Sequence, residues 1–224
     1  MAATRRLPMF PLSSVLFPGA ELPLHVFEPR YRELVADCLA GDGQFGVVLI
    51  ARGSEVGGND ERFGVGTVAQ IASASPLADG RWALLVVGTH RFAIERWLDD
   101  APCPLAEVRA LADDPGSGFE AHLERATAAV RRARTLLSEL GSPAPVADLG
   151  DGAEGEVGAT EGETRLWRLC TLAPLTALDG QRLLEAVDHG DRLTLLTELC
   201  VALAEDLSLL LGGGPGAGGQ PTTP

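Results

Sequence analysis

The chain has 224 residues, 46% of them hydrophobic, with 31 acidic side chains against 18 basic ones and a formal charge of −13. That length holds one domain or two small ones around a proper core, and with no basic stripe to neutralise phosphates, nucleic acid is excluded as an expected partner. All 18 basic residues are arginine, and without lysine there is no Walker A loop, Ser-Lys dyad or Schiff-base chemistry.

The first stretch, RRLPMFPLSSVLFPGAELPLHVFEPRY (5–31), opens on paired arginines as an export signal would. Prolines at 8, 11, 18, 23 and 29, with Glu21 and Glu28, break the apolar run that such a signal needs. The segment is therefore expected to be retained. RLPMF reads as a first strand whose prolines limit it to an edge or to its ends. Residues 12–27 read as a proline-stiffened loop. Pro29 then occupies a first-turn helical position, where its missing N–H costs nothing. Tyr31, Leu34, Val35, Cys38 and Leu39 follow at helical spacing up to Gly41, which predicts a helix over 29–40.

A β-rich body is expected next. FGVVLIA (45–51) and GVGTVAQIAS (64–73) are separated by a Gly-rich charged loop. PLADG leads into RWALLVVG (81–88), and its Asp79-Gly80 pair signals a hairpin turn. HRFAIERWL (90–98) and CPLAEVRAL (103–111) complete six short strands, which with one inserted helix suggest a barrel-like or two-sheet body.

After DDPGSG the period changes. Phe119, Leu123, Ala126, Val130, Ala133, Leu137 and Leu140 repeat at four-three spacing, with a Ser117/Glu120 capping box before them and Gly141 after. Residues 141–163 are rich in Gly and Pro. From Glu139 to Glu163 there are seven acids and no base, the pattern of a flexible, self-repelling loop. Helical turns follow at 164–174, ended by Pro174, and at 175–188 despite Gly180. A longer helix then carries Leu193, Leu196, Cys200, Leu203, Leu207 and Leu210 on one face. The expected organisation is a β-rich part over 1–112, a helical part over 113–211 and a disordered tail from 212 to 224. No run of about 18 uninterrupted apolar residues occurs, so no membrane span is expected.

No residue set argues for an enzyme. Cys38, Cys103, Cys170 and Cys200 lie far apart with no CxxC pairing, as expected of reduced, buried thiols in a cytoplasmic protein. His25, His90, His122 and His189 have no metal-ligand spacing, so neither a metal nor a cofactor is expected. Asp99-Asp100, Asp113-Asp114 and Glu205-Asp206 are neighbours that do not share a strand face. Ser13-Ser14 lacks a nucleophile elbow, and GVGTVAQI lacks the third glycine of a dinucleotide fingerprint.

The blocks LPMFPLSSVLFPGAELPLHVFEPRY, FGVVLI, GVGTVAQI, DGRWALLVVGTHRFAIERW and PLAEVRAL resemble, in order and spacing, the amino-terminal substrate-binding domain of Lon proteases. GQRLLEAVDHGDRLTLLTELCVALAEDLSLL is similar to the helical part of the same domain, so the likeness covers about residues 6–211, broken by the acidic loop. The FEPRY ending looks like a stand-alone branch of that family. The resemblance implies an α+β fold, a PUA-like barrel-like domain with one inserted helix followed by a helical bundle. It also implies a role in recognising polypeptide, without the ATPase and Ser-Lys protease domains.

The leading expectation is therefore a non-catalytic module for unfolded or extended polypeptide, with Phe17, Leu22, Leu24, Phe27 and Tyr31 lining a groove. The alternative is a small-molecule binder or enzyme with a pocket between the β and helical parts, for which Glu28, Arg30 and Arg91 are the candidate polar lining. A third reading is an adaptor that docks a separate ATP-dependent protease.

Overall fold

The computed structural model describes residues 4–53, 55, 60–100, 102–112, 118–141 and 160–212. Among them run, in order, β1 (Thr4–Leu12), β2 (Glu21–Val26), α1 (Pro29–Ala40), β3 (Gln44–Arg52), β4 (Glu61–Pro76), β5 (Trp82–Leu98), β6 (Leu105–Ala110), α2 (Phe119–Glu139), α3 (Glu161–Leu172), α4 (Ala177–Glu185) and α5 (His189–Gly212). The expected α+β architecture is the one observed.

The strands form one mixed sheet in the order β2-β5-β4-β3-β1-β6, and a further β5–β6 pairing closes it into a barrel. β1 is parallel to β3 over Met9–Leu12 and antiparallel to β6 over Thr4–Pro8. It changes neighbours midway, so Pro8 and Pro11 each meet a ladder on one side only, which is where proline is tolerated. Shifts of register in the β3–β4, β4–β5 and β5–β6 ladders bend the long strands enough to close the barrel.

The number of strands matches the sequence reading, but their identities do not. The runs at 81–88 and 90–98 are one 17-residue strand, β5. The missing sixth strand lies inside the segment read as a loop: ELPLHV is β2, antiparallel to the first half of β5 from Glu21↔Val87 to Val26↔Trp82. The 77–81 turn behaves as expected, with Gly80 at φ 79 and its N–H bonded to the Leu77 carbonyl at 2.9 Å.

Gly88 explains why β5 read as broken. The Gly19 N–H donates to the Gly88 carbonyl at 2.8 Å, and the Gly88 N–H donates to the Ala20 carbonyl at 2.9 Å. A Cβ at this position would overlap the Phe17 carbonyl oxygen and lie 3.1 Å from Leu16 Cγ. Glycine is therefore present here for close approach of the 16–20 segment, not to end a strand.

α1 packs Tyr31, Leu34, Val35 and Cys38 onto Phe10, Phe45, Val47 and Val86 of the sheet. A second core lies among α2–α5: Leu123, Ala126, Val130 and Ala133 meet Leu166, Trp167, Leu183, Leu193, Leu196 and Cys200. The four-three stripe of α2 holds to Ala133 and then drifts, so that Leu136 packs while Leu140 is exposed. On α5 Leu210 is likewise exposed, and Ala204 takes a buried place. Ser117 of the expected capping box lies outside the described residues, and the residue capping α2 is Gly118. α3 begins at Glu161, earlier than expected, because Thr160 and Glu163 form a reciprocal capping box. Residues 142–159 of the expected acidic loop and 213–224 of the expected tail lie outside the described residues.

Three ties join sheet to helices. Phe17, from the segment before β2, enters the helical core and stacks on Trp167 with ring centroids 6.0 Å apart. Gln181 of α4 donates through its side-chain nitrogen to the Val65 carbonyl of β4 at 3.1 Å. Arg91 of β5, 2% exposed, donates to the Leu184 and Ala186 carbonyls at 2.7 and 3.0 Å. Arg192 of α5 donates to the Leu183 and Ala186 carbonyls at 2.9 and 2.8 Å, with its guanidinium 4.3 Å from the Trp167 ring centre. The last carbonyls of α4, which a helix leaves unsatisfied and partly negative, are thus met by two buried cations.

Candidate functional site

Four of the eight expected site residues line a groove of about 160 Å³ between β1, β2 and the start of α1. Phe10 and Leu12 of β1 line one side, and the consecutive residues Pro23, Leu24, His25 and Val26 of β2 line the other. Phe27, Glu28 and Tyr31 close one end, and Glu55 stands at the rim. Glu55 also accepts hydrogen bonds from the backbone N–H and hydroxyl of Ser13.

The geometry of β5 explains why an opening exists here. β4 covers one edge of β5 from Trp82 to Ala93. β2 and β6 therefore share the opposite edge, β2 at residues 82–87 and β6 at 92–98. β6 leaves β1 after Pro8, so the second half of β1 has no strand on the side toward β2 among the described residues.

The aromatic part of the wall is closely packed. Tyr31 is 3% exposed and stacks on Phe10 with centroids 4.3 Å apart and planes 20° from parallel. The Arg30 guanidinium lies 4.5 Å from the Tyr31 ring centre and pairs with Glu28 at 3.1 Å. Burial pushes the Tyr31 phenol up to about 12; Arg30 pulls it down and Glu28 pushes it up again. The ring therefore carries no charge at any physiological pH. Phe27, on the lip, is 52% exposed.

Leu24, Phe27, Glu28 and Tyr31 thus meet at one site, with Arg30 bracing it. Leu22 is half-buried on the same strand, packed against the sheet core. Phe17 and Arg91 are elsewhere: both lie inside the contact between sheet and helices, and neither lines this groove. The sequence reading missed Phe10, Leu12, Pro23 and Val26. The available signal was the alternation of ELPLHV, which has strand period but was obscured by its proline.

A second, larger hollow of about 620 Å³ lies between the β3–β4 hairpin and the start of α4, lined by Ser13, Leu49, Arg52, Phe63 and Leu178 among others. A pocket between the two parts was expected to use Glu28, Arg30 and Arg91, and none of these lines it. Among the described residues no group of three or more His, Cys, Asp or Glu is placed to hold a metal ion. All four cysteines are buried and free, and burial raises their thiols, to about 12 for Cys38 and Cys170 and about 11 for Cys200. They are not thiolates at neutral pH and offer no nucleophile. Among the described residues no helix is long and apolar enough to cross a membrane.

Against known proteins, the family model described as the ATP-dependent protease La (LON) substrate-binding domain matches residues 6–202. The Lon protease of Cytophaga hutchinsonii is 30% identical over 207 residues, which cover 91% of this chain and 24% of that protein. Lon protease 2 of Herpetosiphon aurantiacus is 27% identical over 214 residues, 93% of this chain and 25% of that protein. The chain spans about a quarter of the length of these curated relatives. Among solved structures, a Lon N-terminal domain protein from Xanthomonas campestris superposes with a TM-score of 0.62 at 31% identity, covering 87% of this chain and 98% of that one. The N-terminal domain of a Mycobacterium avium complex Lon protease shares the fold, with a TM-score of 0.58 at 18% identity, covering 88% and 98%.

Proposed function

The chain belongs to the Lon substrate-binding domain family, and from that premise we propose that it is a non-catalytic module that recognises polypeptide through the groove between β1, β2 and α1. The observation that carries this reading is Phe27, a large apolar side chain 52% exposed on the lip of an apolar groove. Contiguous apolar surface rimmed by polar residues marks an interaction site, and Phe27 extends the apolar groove into solvent. At about 160 Å³ the groove is smaller than the roughly 300–1,000 Å³ of small-molecule sites. It suits a few side chains of a larger ligand.

The test is fluorescence anisotropy of a labelled unfolded protein, reduced and carboxymethylated α-lactalbumin, titrated with the purified chain. Losing one buried apolar contact of about 1.5–3 kcal/mol weakens affinity about 10- to 100-fold, so Phe27→Ser and Leu24→Ser should each do so. Val187→Ser, at an apolar side chain 79% exposed and outside the groove, should not. Absence of saturable binding, or equal affinity in all three variants, would sink the reading.

Delivery of bound polypeptide to a separate ATP-dependent protease is a further step of the same reading, tested by co-purification with and without Phe27→Ser. The hollow of about 620 Å³ is of ligand size and favours a second reading, a small-molecule site between sheet and helices. A discrete added mass in native mass spectrometry of the purified protein would support it.

A further inference from the structure

The groove is lined by four consecutive residues of β2, Pro23 to Val26, and not by alternate ones. A strand that presents only a face contributes every second side chain. Lining by consecutive residues means that the main-chain edge of β2 borders the groove. β2 is the terminal strand of the sheet, paired only with β5 among the described residues.

The polarity of that edge follows from the ladder. The Gly88 N–H donates to the Ala20 carbonyl, so Ala20, opposite Gly88, turns its backbone carbonyl toward β5. In an antiparallel pair the hydrogen-bonded residues alternate. Leu22, Leu24 and Val26 therefore point their backbone groups at β5, while Glu21, Pro23 and His25 point theirs away. Pro23, which has no N–H, occupies an outward position and costs the β5 ladder nothing. The outward edge then offers carbonyls at 21, 23 and 25 and N–H groups at 21 and 25. Native edge strands are usually covered or blunted, and among the described residues no strand pairs with this one.

We propose that an extended polypeptide segment binds as an added strand on the outer edge of β2, in the gap between β2 and the second half of β1. Its alternate apolar side chains enter the groove over Phe10, Leu12 and Leu24. This rests on the reading that the groove takes polypeptide and specifies the conformation and composition of the segment taken. Main-chain bonds supply affinity without sequence choice, and the groove selects alternate apolar side chains. Glu28, paired with Arg30, and Glu55 are the acidic residues of the groove lining, in a chain of net charge −13. The other side chains of the segment are therefore basic or uncharged, and acidic segments are repelled.

The test uses an eleven-residue fluorescein-labelled peptide alternating leucine and arginine, with two versions N-methylated on alternate amides, one for each parity. N-methylation removes donors and leaves side chains in place. One methylated version should bind about tenfold or more weakly, as loss of two main-chain bonds implies, and the other within about twofold of the parent. On the protein side, His25→Pro and His25→Ala both remove the groove-lining imidazole, but only His25→Pro also removes an outward N–H, so it should bind the parent peptide about fivefold more weakly than His25→Ala does. If the parent binds and Leu24→Ser weakens it, but both methylated versions bind alike, strand addition is wrong and the groove reading stands. If neither peptide nor unfolded protein binds, both fall. Equal binding by His25→Pro and His25→Ala, with thermal unfolding unchanged, also overturns the β2 edge as the docking strand.

Discussion

Replacement of Arg91 by methionine isolates the contribution of the buried guanidinium. The side chain is 2% exposed and donates to the Leu184 and Ala186 carbonyls at the end of α4. Hydrogen bonds to charged groups contribute about 1.5–3 kcal/mol each. The Ala186 carbonyl keeps its bond from Arg192 at 2.8 Å, so the larger loss falls on Leu184. Methionine recovers part of the cost of burying a cation and fills much of the volume. The net expectation is a loss of about 3 kcal/mol, or about 6–12 °C in Tm for a chain of this size. Urea and thermal unfolding followed by circular dichroism measure it, and Arg91→Lys, whose ammonium lacks the planar fork, should recover only part. Binding of unfolded protein below the transition should be unchanged, because Arg91 does not line the groove. A loss below about 1 kcal/mol together with weakened binding would refute the assignment and return Arg91 to a ligand site.

Three further outcomes are expected. Gly180→Ala should stabilise by about 0.5–1 kcal/mol in urea unfolding, since the new Cβ meets Phe17 and Val15 at 3.5–3.7 Å and Ala favours a helix interior. Gly88→Ala should destabilise by about 1–3 kcal/mol in the same assay, because its Cβ would strike the Phe17 carbonyl oxygen. Burial raises the Asp60 carboxyl, but its bond to Arg62 at 2.6 Å outweighs this and holds it below its usual 3.8. The stabilisation is therefore present above about pH 4 and lost as pH falls through the folded value, so the stability gap between wild type and Asp60→Asn should be constant near neutrality and narrow only as pH falls below about 4.

Local signals carried much of the architecture. Pro29 with the spacing of Tyr31, Leu34, Val35 and Cys38 marked α1 to within a residue, because helix entry and amphipathicity are properties of neighbouring residues. The Asp79-Gly80 turn was legible for the same reason. What escaped depends on contacts far along the chain. Gly88 looked like a strand break because the segment that crosses it, 16–20, is about seventy residues away. Pro23 looked like a loop residue because its harmless position is set by the register with β5. In the groove, Leu24, Phe27 and Tyr31 are near in sequence and were expected together, whereas Glu28 was expected to line a different pocket. Arg91 was misplaced because its acceptor Leu184 lies 93 residues on, and Phe17 because Trp167 is more remote still.

The paired guanidiniums at the end of α4 bear on how this fold tolerates recombination. One comes from β5 and the other from α5, and they share the Ala186 carbonyl. A fragment holding the strands alone would expose Arg91 without its carbonyl acceptors, and with it a bare Phe17. Barrel and bundle are thus closed by one shared network, and neither part alone keeps these buried groups satisfied.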